Sequence, residues 1–502
     1  MRDLLVLLLL LVALRSGAAT YYVSSTGNDQ ASGLSPTEAF ASLQHAADVA
    51  LAGDSVQVLA GSYTGFAAMD HSGAPEAPIV FFATPGAVSI AEPCPYNELD
   101  GINVENVEWV VIDGFIVNGM PRAGIRTALS DHVTIRNNSC HGNYRWGILT
   151  GFAEHVLIEH NTCSGSEVEH GIYFSNSADD PVIRFNRCFD NNANGIHMNG
   201  DVSLGGDGVI SNAQVYGNVI HGNGTAGGSG INCDGVVNSV IHNNLLYDNH
   251  ASGISLYRID AGGPSTGNRV YNNTIINAAD GRWCLNITDA CTGNQVLNNI
   301  LINQHPFRGS IVIAADALDG FVSDHNLVIG RLSPDGDATI LDLSEWQALG
   351  FDTHSQLADP QASLFVAPGI DHHAVSDNAQ QVDAGTDAVL SVVAEDLDGL
   401  TRPQGAAVDI GCYERDASTG ITSSNGQPGP LALREGRVHI GIAALDHTLA
   451  YFDHAGRLVA LEGPITGADR SVPLRAGSGG VMVLRDAQGR VVDVLKLPFR
   501  PE

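Results

Sequence analysis

The segments IRNNSC (135–140), IEHNTC (158–163) and IRFNRC (183–188) repeat one pattern, and this repeat decides the fold. Each has an aliphatic residue, an Asn three positions later, and then a mostly apolar position. The pattern continues in VYGNVI (215–220), IHNNLL (241–246), VYNNTI (270–275) and VLNNIL (296–301). The repeated asparagines lie 23 to 32 residues apart. With β-type alternation, this length predicts a β-solenoid in which each repeat forms one coil.

The asparagine column has a structural explanation. At the corner of a coil, Asn tolerates a left-handed backbone conformation. Stacked Asn side chains can also hydrogen-bond to one another along the axis. We therefore expect one line of side chains formed by Asn138, Asn161, Asn186, Asn218, Asn244, Asn273 and Asn299.

The spacing of the eight cysteines does not indicate a disulfide framework. Cys140, Cys163 and Cys188 recur with the repeat, which predicts stacked interior positions. Cys284 and Cys291 are near enough in sequence to bridge a local loop.

A second column lies between the asparagine corners, in GIRTA (124–128), GILTG (147–151), GIYFS (171–175), GIHMN (195–199), GINCD (230–234), GISLY (253–257) and CLNIT (284–288). Period-two alternation turns Ile and the apolar residue two places later inward. The intervening residues then form two parallel files on one outer face. Polar and aromatic groups concentrate in the middle coils of these files, at Tyr173, His197, Asn199, Asn232, Asp234 and Tyr257.

Two insertions follow the same strands, NGDVSLGGDGVIS (199–211) and YRIDAGGPSTGN (257–268). Insertions in a solenoid map to loops on one face, often the binding face. We expect these loops to wall a groove over His197, Asn232 and Asp234.

The sequences near the two ends of the chain predict a signal peptide, a capping helix, a linker and a small second domain. Residues 1–19 have a charged start, a short apolar run and a small-residue cleavage site, which predicts a secretory signal peptide and a secreted or cell-surface protein. The stretch PTEAFASLQHAADVALAGD (36–54) predicts an amphipathic helix that caps the first coil. A Ser/Gly/Pro-rich linker (417–430) separates the solenoid domain (20–416) from a small β-sandwich (431–502) made of strand–turn–strand hairpins.

Composition limits the partners. The chain has 24 basic and 55 acidic residues, a net charge of −31. Such a surface repels nucleic acid and anionic membranes. It also disfavours an acidic polysaccharide unless calcium or a local arginine cluster intervenes. No segment after the signal peptide is long and apolar enough to span a bilayer, and we expect a monomer.

The span from Tyr21 to Glu414 resembles exported right-handed parallel β-helix proteins of the pectate-lyase-like superfold. The opening YYVSSTGND (21–29) and the ending DLDGLTRPQGAAVDIGCYE (396–414) are similar to the "choice-of-anchor" group of such proteins. The C-terminal module is similar to the sorting domains of the type IX secretion route. The resemblance implies an all-β fold, a single-stranded right-handed β-helix, that contacts carbohydrate.

Two enzymatic hypotheses fit the outer face. In a polysaccharide lyase, a base removes the proton next to a uronate carboxylate while a cation neutralises that carboxylate. Lysine is excluded as the catalytic group, because the only lysine is Lys496, which lies outside the solenoid domain. His197 or Tyr173 would be the base and Arg258 the neutralising group. A calcium ion held by Asp201, Asp234 and Asp260 could replace Arg258.

In a glycoside hydrolase, Asp234 and Asp201 would divide the acid and base roles, at a separation of about 8 Å that suits an inverting enzyme. A third hypothesis is a surface adhesin whose face only grips sugar. In all three, the expected substrate-binding residues are Asn199, Asn232, Tyr257, Asp260, Arg282 and Trp283.

Overall fold

The computed structural model describes residues 17–84 and 86–415, and the backbone of seven strands between 431 and 497. The chain divides into two compact units, residues 1–415 and 416–502. The signal peptide predicted at residues 1–19 and the linker predicted at 417–430 lie, apart from residues 17–19, outside the described residues.

Unit 1 is a solenoid of three parallel sheets, which the chain visits in the order A, B, C in each coil. Sheet A has twelve strands: Thr20–Val23, Ser55–Val58, Ile79–Ala83, Val110–Asp113, Thr134–Arg136, Leu157–Glu159, Val182–Arg184, Gln214–Tyr216, Val240–His242, Arg269–Tyr271, Gln295–Leu297 and Val322–Asp324. Sheet B has twelve: Gly61–Thr64, Val88–Glu92, Ile116–Asn118, Ser139–His141, Thr162–Ser164, Arg187–Phe189, Val219–His221, Leu245–Tyr247, Thr274–Asn277, Ile300–Asn303, Leu327–Val328 and Gln356–Leu357. Sheet C has eleven: Phe66–Ala68, Ile102–Glu105, Ala123–Ala128, Trp146–Gly151, Ile172–Ser175, Ile196–Asn199, Ser229–Asp234, Ser252–Tyr257, Leu285–Ile287, Ile311–Ile313 and Leu332–Ser333.

The predicted solenoid is confirmed, and its interior is a single column of apolar side chains that runs through successive coils. Cys140, Cys163 and Cys188 stack in register in this interior, as the repeat predicted. All eight cysteines are buried and free, so Cys284 and Cys291, although near in sequence, do not form a bridge.

The asparagine column forms a continuous hydrogen-bonded ladder at the corner between sheets A and B. In each rung the Nδ2 donates to the Oδ1 of the next Asn, for example from Asn138 to Asn161 at 3.0 Å. The same Oδ1 accepts the backbone N–H of the preceding rung, and Nδ2 also donates to a carbonyl of the coil before. The ladder continues past the predicted last member, Asn299, to Asn326, which donates to Asp352.

Of the two explanations that we gave for this column, the side-chain hydrogen bonds are confirmed and the left-handed backbone of the ladder Asn is wrong. The left-handed residue is the one before each ladder Asn: φ is +56° at Asn137, +54° at Phe185 and +50° at Asn243. The ladder Asn itself is therefore selected by its side-chain hydrogen bonds, not by tolerance of a positive φ.

The two ends of the solenoid are covered by helices. At the start, the predicted long helix is reduced to a short turn, Pro36–Glu38, and the helix Leu43–Val49. The Ser42 side chain caps this helix by accepting the N–H of His45, which fixes its start. At the far end the helix Leu343–Ala348 buries Trp346, whose Nε1–H donates to Asp352, the residue that ends the ladder. The remaining short elements are a helix at Gln361–Leu364, turns at Val202–Leu204, Ala315–Ala317 and Asp387–Val389, and the strand pairs Ile210–Ser211 with Val236–Val237 and Phe365–Ala367 with Asp371–Ala374.

The segment 381–415 returns along the side of the solenoid, and we call it the strap. Its backbone bonds the left-handed corner asparagines of three successive coils: Asn243 donates to Glu395 O, Asn272 to Asp409 O and Asn298 to Thr386 O.

A buried ion pair between Arg402 and Glu414 stabilises the strap. The Arg402 and Glu414 side chains, both almost fully buried, approach to 2.6 Å. Arg402 also donates to Asn243 Oδ1 of the solenoid at 3.2 Å.

Unit 2 consists of two antiparallel sheets. One has strands Leu431–Arg434, Arg437–Ile440 and Arg470–Pro473, and the other has Leu458–Glu462, Thr448–Asp453, Gly480–Arg485 and Val491–Leu497. Both hairpins predicted there form, between residues 448–462 and 480–497. Within the described part of the chain, no helix has the length and apolar character needed to span a membrane.

Candidate functional site

The outer face of sheet C carries the predicted files. Strand register places Tyr173 beside His197, His197 beside Asn232, Asn232 beside Ser255, and Ser255 beside Asn286. A glycine at or next to the start of the first four of these strands allows the coils to stack closely. At Gly171, for example, a Cβ would lie 2.8 Å from both the Gly195 carbonyl oxygen and the Asn191 amide.

A line of hydrogen bonds crosses this face from His170 through His197 to Tyr257. The Asn194 backbone N–H donates to His170 Nδ1 at 3.2 Å, so the proton of the neutral ring is assigned to Nε2. His170 Nε2 lies 3.0 Å from His197 Nδ1, which therefore accepts, and the His197 proton is assigned to Nε2. This Nε2–H faces the Tyr257 hydroxyl oxygen at 3.3 Å.

The Tyr257 oxygen receives a second donor, the Asn232 Nδ2, at 2.8 Å. The Asn232 amide is oriented by Ser229, whose hydroxyl donates to Asn232 Oδ1 at 3.3 Å. With two donors on its oxygen, the phenol proton of Tyr257 is free to point to a ligand, and a phenolate there would be stabilised by both donors.

Burial controls the ionisation of this line. It lowers the pKa of His197 to about 3 and holds the pKa of His170 well below its usual range, so both rings are neutral near pH 7. Burial also raises the pKa of Tyr257 well above its usual range, and the charge of Asp234 adds to this effect.

Tyr173 lies on the neighbouring coil. Its ring stacks on Trp146 at a centroid distance of 5.5 Å and leans on His197 at 5.1 Å. Its hydroxyl accepts the Asn199 Nδ2 at 3.1 Å, and burial raises its pKa to about 12. Tyr173 and Asn199 therefore help to hold His197 in place from the other side.

The predicted carboxylates make hydrogen bonds within the insertions. Asp234 is buried and accepts the backbone N–H groups of Ile259 at 2.9 Å, Asp260 at 2.8 Å and Ala261 at 3.4 Å, so it anchors the second insertion. Asp201 caps the turn Val202–Leu204 by accepting the N–H of Ser203 at 2.7 Å.

The calcium site that we expected from Asp201, Asp234 and Asp260 stays a prediction. In residues 17–84 and 86–415, side chains of three or more ligand-type residues converge at two places, and neither includes these aspartates.

The two insertions contact each other. The N–H of Val202 donates to Asp260 O at 3.2 Å, and that of Gly262 to Gly208 O at 2.9 Å. The approach requires glycine, because a Cβ on Gly208 would lie 2.4 Å from the Gly262 nitrogen. Arg258 is exposed at the base of the second insertion, where its Nε–H faces Ala261 O at 3.4 Å.

A cleft of about 320 Å³ lies further along the same face, over the strands Leu285–Ile287 and Ile311–Ile313. Two arginines and one aspartate contribute to its wall; the lining residues are Ser252, Arg282, Trp283, Asn286, Ile287, Thr288, Arg308, Val312, Gly336 and Asp337. The cleft adjoins the Tyr257 coil, since the Thr288 N–H donates to Leu256 O at 3.0 Å.

Side-chain hydrogen bonds hold the backbone at or near the two arginines of the cleft. The carbonyl of Arg282 accepts the Asn277 side chain at 3.2 Å. The turn before Arg308 is held by Arg331, which donates to the carbonyls of His305 and Pro306 at 2.8 Å.

From the sequence we predicted Arg282 and Trp283, but not His170, Arg308 or Asp337, as site residues. His170 had a detectable signal, because it directly precedes the Gly-Ile pair that begins a sheet C strand. Arg308 and Asp337 come from loops without a repeated spacing, so no pattern marks them.

Comparisons with known proteins agree with the geometry. The family model "Right handed beta helix region" matches residues 96–204 and 169–320. The solved structure of pectate lyase Pel9A is 18% identical and covers 80% of this chain and 97% of its own, with a TM-score of 0.55. An alginate lyase from Paenibacillus sp. str. FPU-7 is 20% identical over 53% of this chain and 93% of its own, with a TM-score of 0.40. A rhamnogalacturonan lyase is 15% identical over 56% of this chain and 82% of its own, with a TM-score of 0.42. No curated protein matches the sequence. Together with the three parallel sheets, the family model and the Pel9A structure establish unit 1 as a right-handed parallel β-helix.

Proposed function

We propose that this protein is a polysaccharide lyase that cleaves a uronate-containing chain bound along the outer face of sheet C. The observation that carries the proposal is the Tyr257 hydroxyl, held by His197 and Asn232 on the face whose following coils form a cleft lined by Arg282 and Arg308. The resemblance of the fold to pectate lyase Pel9A supports the same class of substrate.

The cleft supplies the positive charge that the acidic chain otherwise lacks. With a net charge of −31, most of the surface repels a polyuronate. Arg282 and Arg308 form a local cationic site on the face that bears Tyr257. A guanidinium can bind a carboxylate in a bidentate manner. Withdrawal of charge from the carboxylate makes the proton on the adjacent carbon easier to remove.

Tyr257 is the group that we assign to proton transfer. As a phenolate it removes the proton from the carbon next to the carboxylate, and the glycosidic C–O bond two carbons from that carboxylate breaks as a C=C bond forms. The phenol then returns the proton to the leaving oxygen. His197 and Asn232 act as positioning residues, since both donate to the oxygen that carries the charge.

A hydrolase receives less support. Asp234 and Asp201, the pair expected to act as acid and base, already accept three and two hydrogen bonds from the insertions. A purely adhesive role would not require two hydrogen-bond donors, His197 and Asn232, on the Tyr257 oxygen.

The test is incubation with a panel of polyuronates and neutral polysaccharides, with calcium or with a chelator. We expect ultraviolet absorbance from an unsaturated uronate product. Tyr257→Phe should lower turnover by at least ~100-fold, the usual contribution of an acid–base group. Tyr216→Phe is the matched control, because it removes a phenol hydroxyl from sheet A and should keep full activity.

Activity should also rise with pH. The pKa of Tyr257 is raised, so its phenolate fraction increases tenfold per pH unit throughout the range below that pKa. New reducing ends without ultraviolet absorbance, or binding without any product, would overturn the lyase proposal.

A further inference from the structure

Two clusters of one aspartate and two histidines lie away from the sheet C face, and we propose that each binds a borderline divalent cation such as Zn²⁺. The first consists of Asp131, His132 and His155, and the second of Asp324, His325 and His354. In each cluster the three ligand atoms lie within 4.8 Å of one another. This proposal does not depend on the proposed lyase activity.

In the first cluster both imidazoles present Nδ1 to the same carboxylate oxygen. Asp131 Oδ1 lies 2.7 Å from His132 Nδ1 and 2.9 Å from His155 Nδ1. The rings stack at a centroid distance of 4.5 Å, and Trp109 stacks on His132 at 3.9 Å. Backbone hydrogen bonds from Trp109, His132 and His155 to the next coil hold this column rigid.

One of these contacts is not a hydrogen bond. The Nδ1 of His132 is buried and has no hydrogen-bond partner among the described residues, although a carboxylate oxygen lies 2.7 Å away. Tetrahedral bonds of about 2.1 Å place two ligand atoms about 3.4 Å apart, so a cation would replace this 2.7 Å contact with a longer separation. A bound cation would therefore satisfy an atom that makes no hydrogen bond within the described residues.

The second cluster repeats this feature at a different corner of the solenoid. His325 Nδ1 is also buried without a hydrogen bond, 3.4 Å from Asp324 Oδ2, and His354 Nδ1 lies 2.6 Å from the same oxygen. The backbone N–H groups of His325 and His354 donate to the other oxygen, Oδ1, at 2.9 and 2.7 Å. The carboxylate is thus fixed with Oδ2 facing both rings.

The donor set selects the class of metal. Two imidazoles and one carboxylate leave a fourth tetrahedral position for water, which is the ligand pattern of open zinc sites. Calcium prefers six to eight oxygen ligands and does not fit. Because the chain is strongly acidic, its field attracts cations to both exposed clusters.

Calorimetric titration of the chelator-treated full chain with ZnCl₂ tests the proposal. We expect two equivalents of bound Zn²⁺ in the wild type. His155→Ala and His354→Ala should each lose one equivalent, and the double variant should lose both.

The matched control is His250→Ala. His250 pairs with a single carboxylate, Asp280, at 2.9 Å, and belongs to neither cluster, so two equivalents should remain. A second readout is the melting temperature, which Zn²⁺ should raise in the wild type but not in the double variant. The proposal is refuted if the wild type binds no Zn²⁺, or if the double variant binds as much as the wild type.

Discussion

Replacing Asn138 with alanine should strongly destabilise the solenoid. The Asn138 side chain is buried and makes two bonds to backbone groups: Oδ1 accepts the Phe115 N–H at 2.9 Å, and Nδ2 donates to Ile112 O at 3.0 Å. Asn161 Oδ1 loses one donor but keeps the Asn138 backbone N–H. The substitution therefore leaves the Phe115 N–H unpaired, whereas Ile112 lies in a sheet A strand that is paired with both neighbouring strands.

An unpaired buried group costs about 1–3 kcal/mol, so we expect the free energy of unfolding to fall by about that amount. Urea denaturation followed by circular dichroism measures this difference. The adjacent Asn137 is exposed and has a φ of +56°, which glycine adopts without strain. Asn137→Gly should change stability by less than ~1 kcal/mol. Equal losses in the two variants would refute the claim that the ladder side chains stabilise the coils.

Three further predictions concern unit 1. Glu414→Gln should destabilise it by about 3–5 kcal/mol, because the buried Arg402 loses its counter-charge; unchanged denaturation would contradict this. Burial lowers the pKa of His373, but hydrogen bonds to Asp371 and Asp398 outweigh it and raise that pKa to about 9. The stability advantage of wild type over His373→Gln should therefore be complete below pH 6.5, decline above it, and vanish beyond about pH 9. Finally, a thiol reagent should label no cysteine in the native protein and eight after denaturation, since all eight are buried and free; rapid native labelling would disprove their burial.

The solenoid could be predicted because its repeat imposes the same physical demand on every coil. Each ladder Asn must bond the coil before and the coil after it, so the residue recurs and the column is visible. The left-handed position beside it accepts Asn, Phe, His or Gly, so no residue type marks it. The helix that covers the far end escaped prediction because it is only six residues long.

The site was less predictable, because its chemistry depends on loops. The alternation placed His197, Asn232 and Tyr257 on one face, and the structure brings them into one hydrogen-bonded line. The alternation could not indicate that three backbone N–H groups donate hydrogen bonds to the Asp234 carboxylate. It also could not place Arg308, since the turn that carries it depends on hydrogen bonds from Arg331.

The strap has a consequence for the order in which the protein is made. Its Glu395 carbonyl bonds a corner asparagine that lies 152 residues earlier in the chain. At a synthesis rate of about 5–20 residues per second, the ribosome needs on the order of ten seconds or more between the two. Until the strap is made, the corners at Asn243, Asn272 and Asn298 lack these hydrogen-bond partners. A premature stop codon after residue 380 would thus damage the middle of the molecule, which was synthesised first, rather than only its last coils.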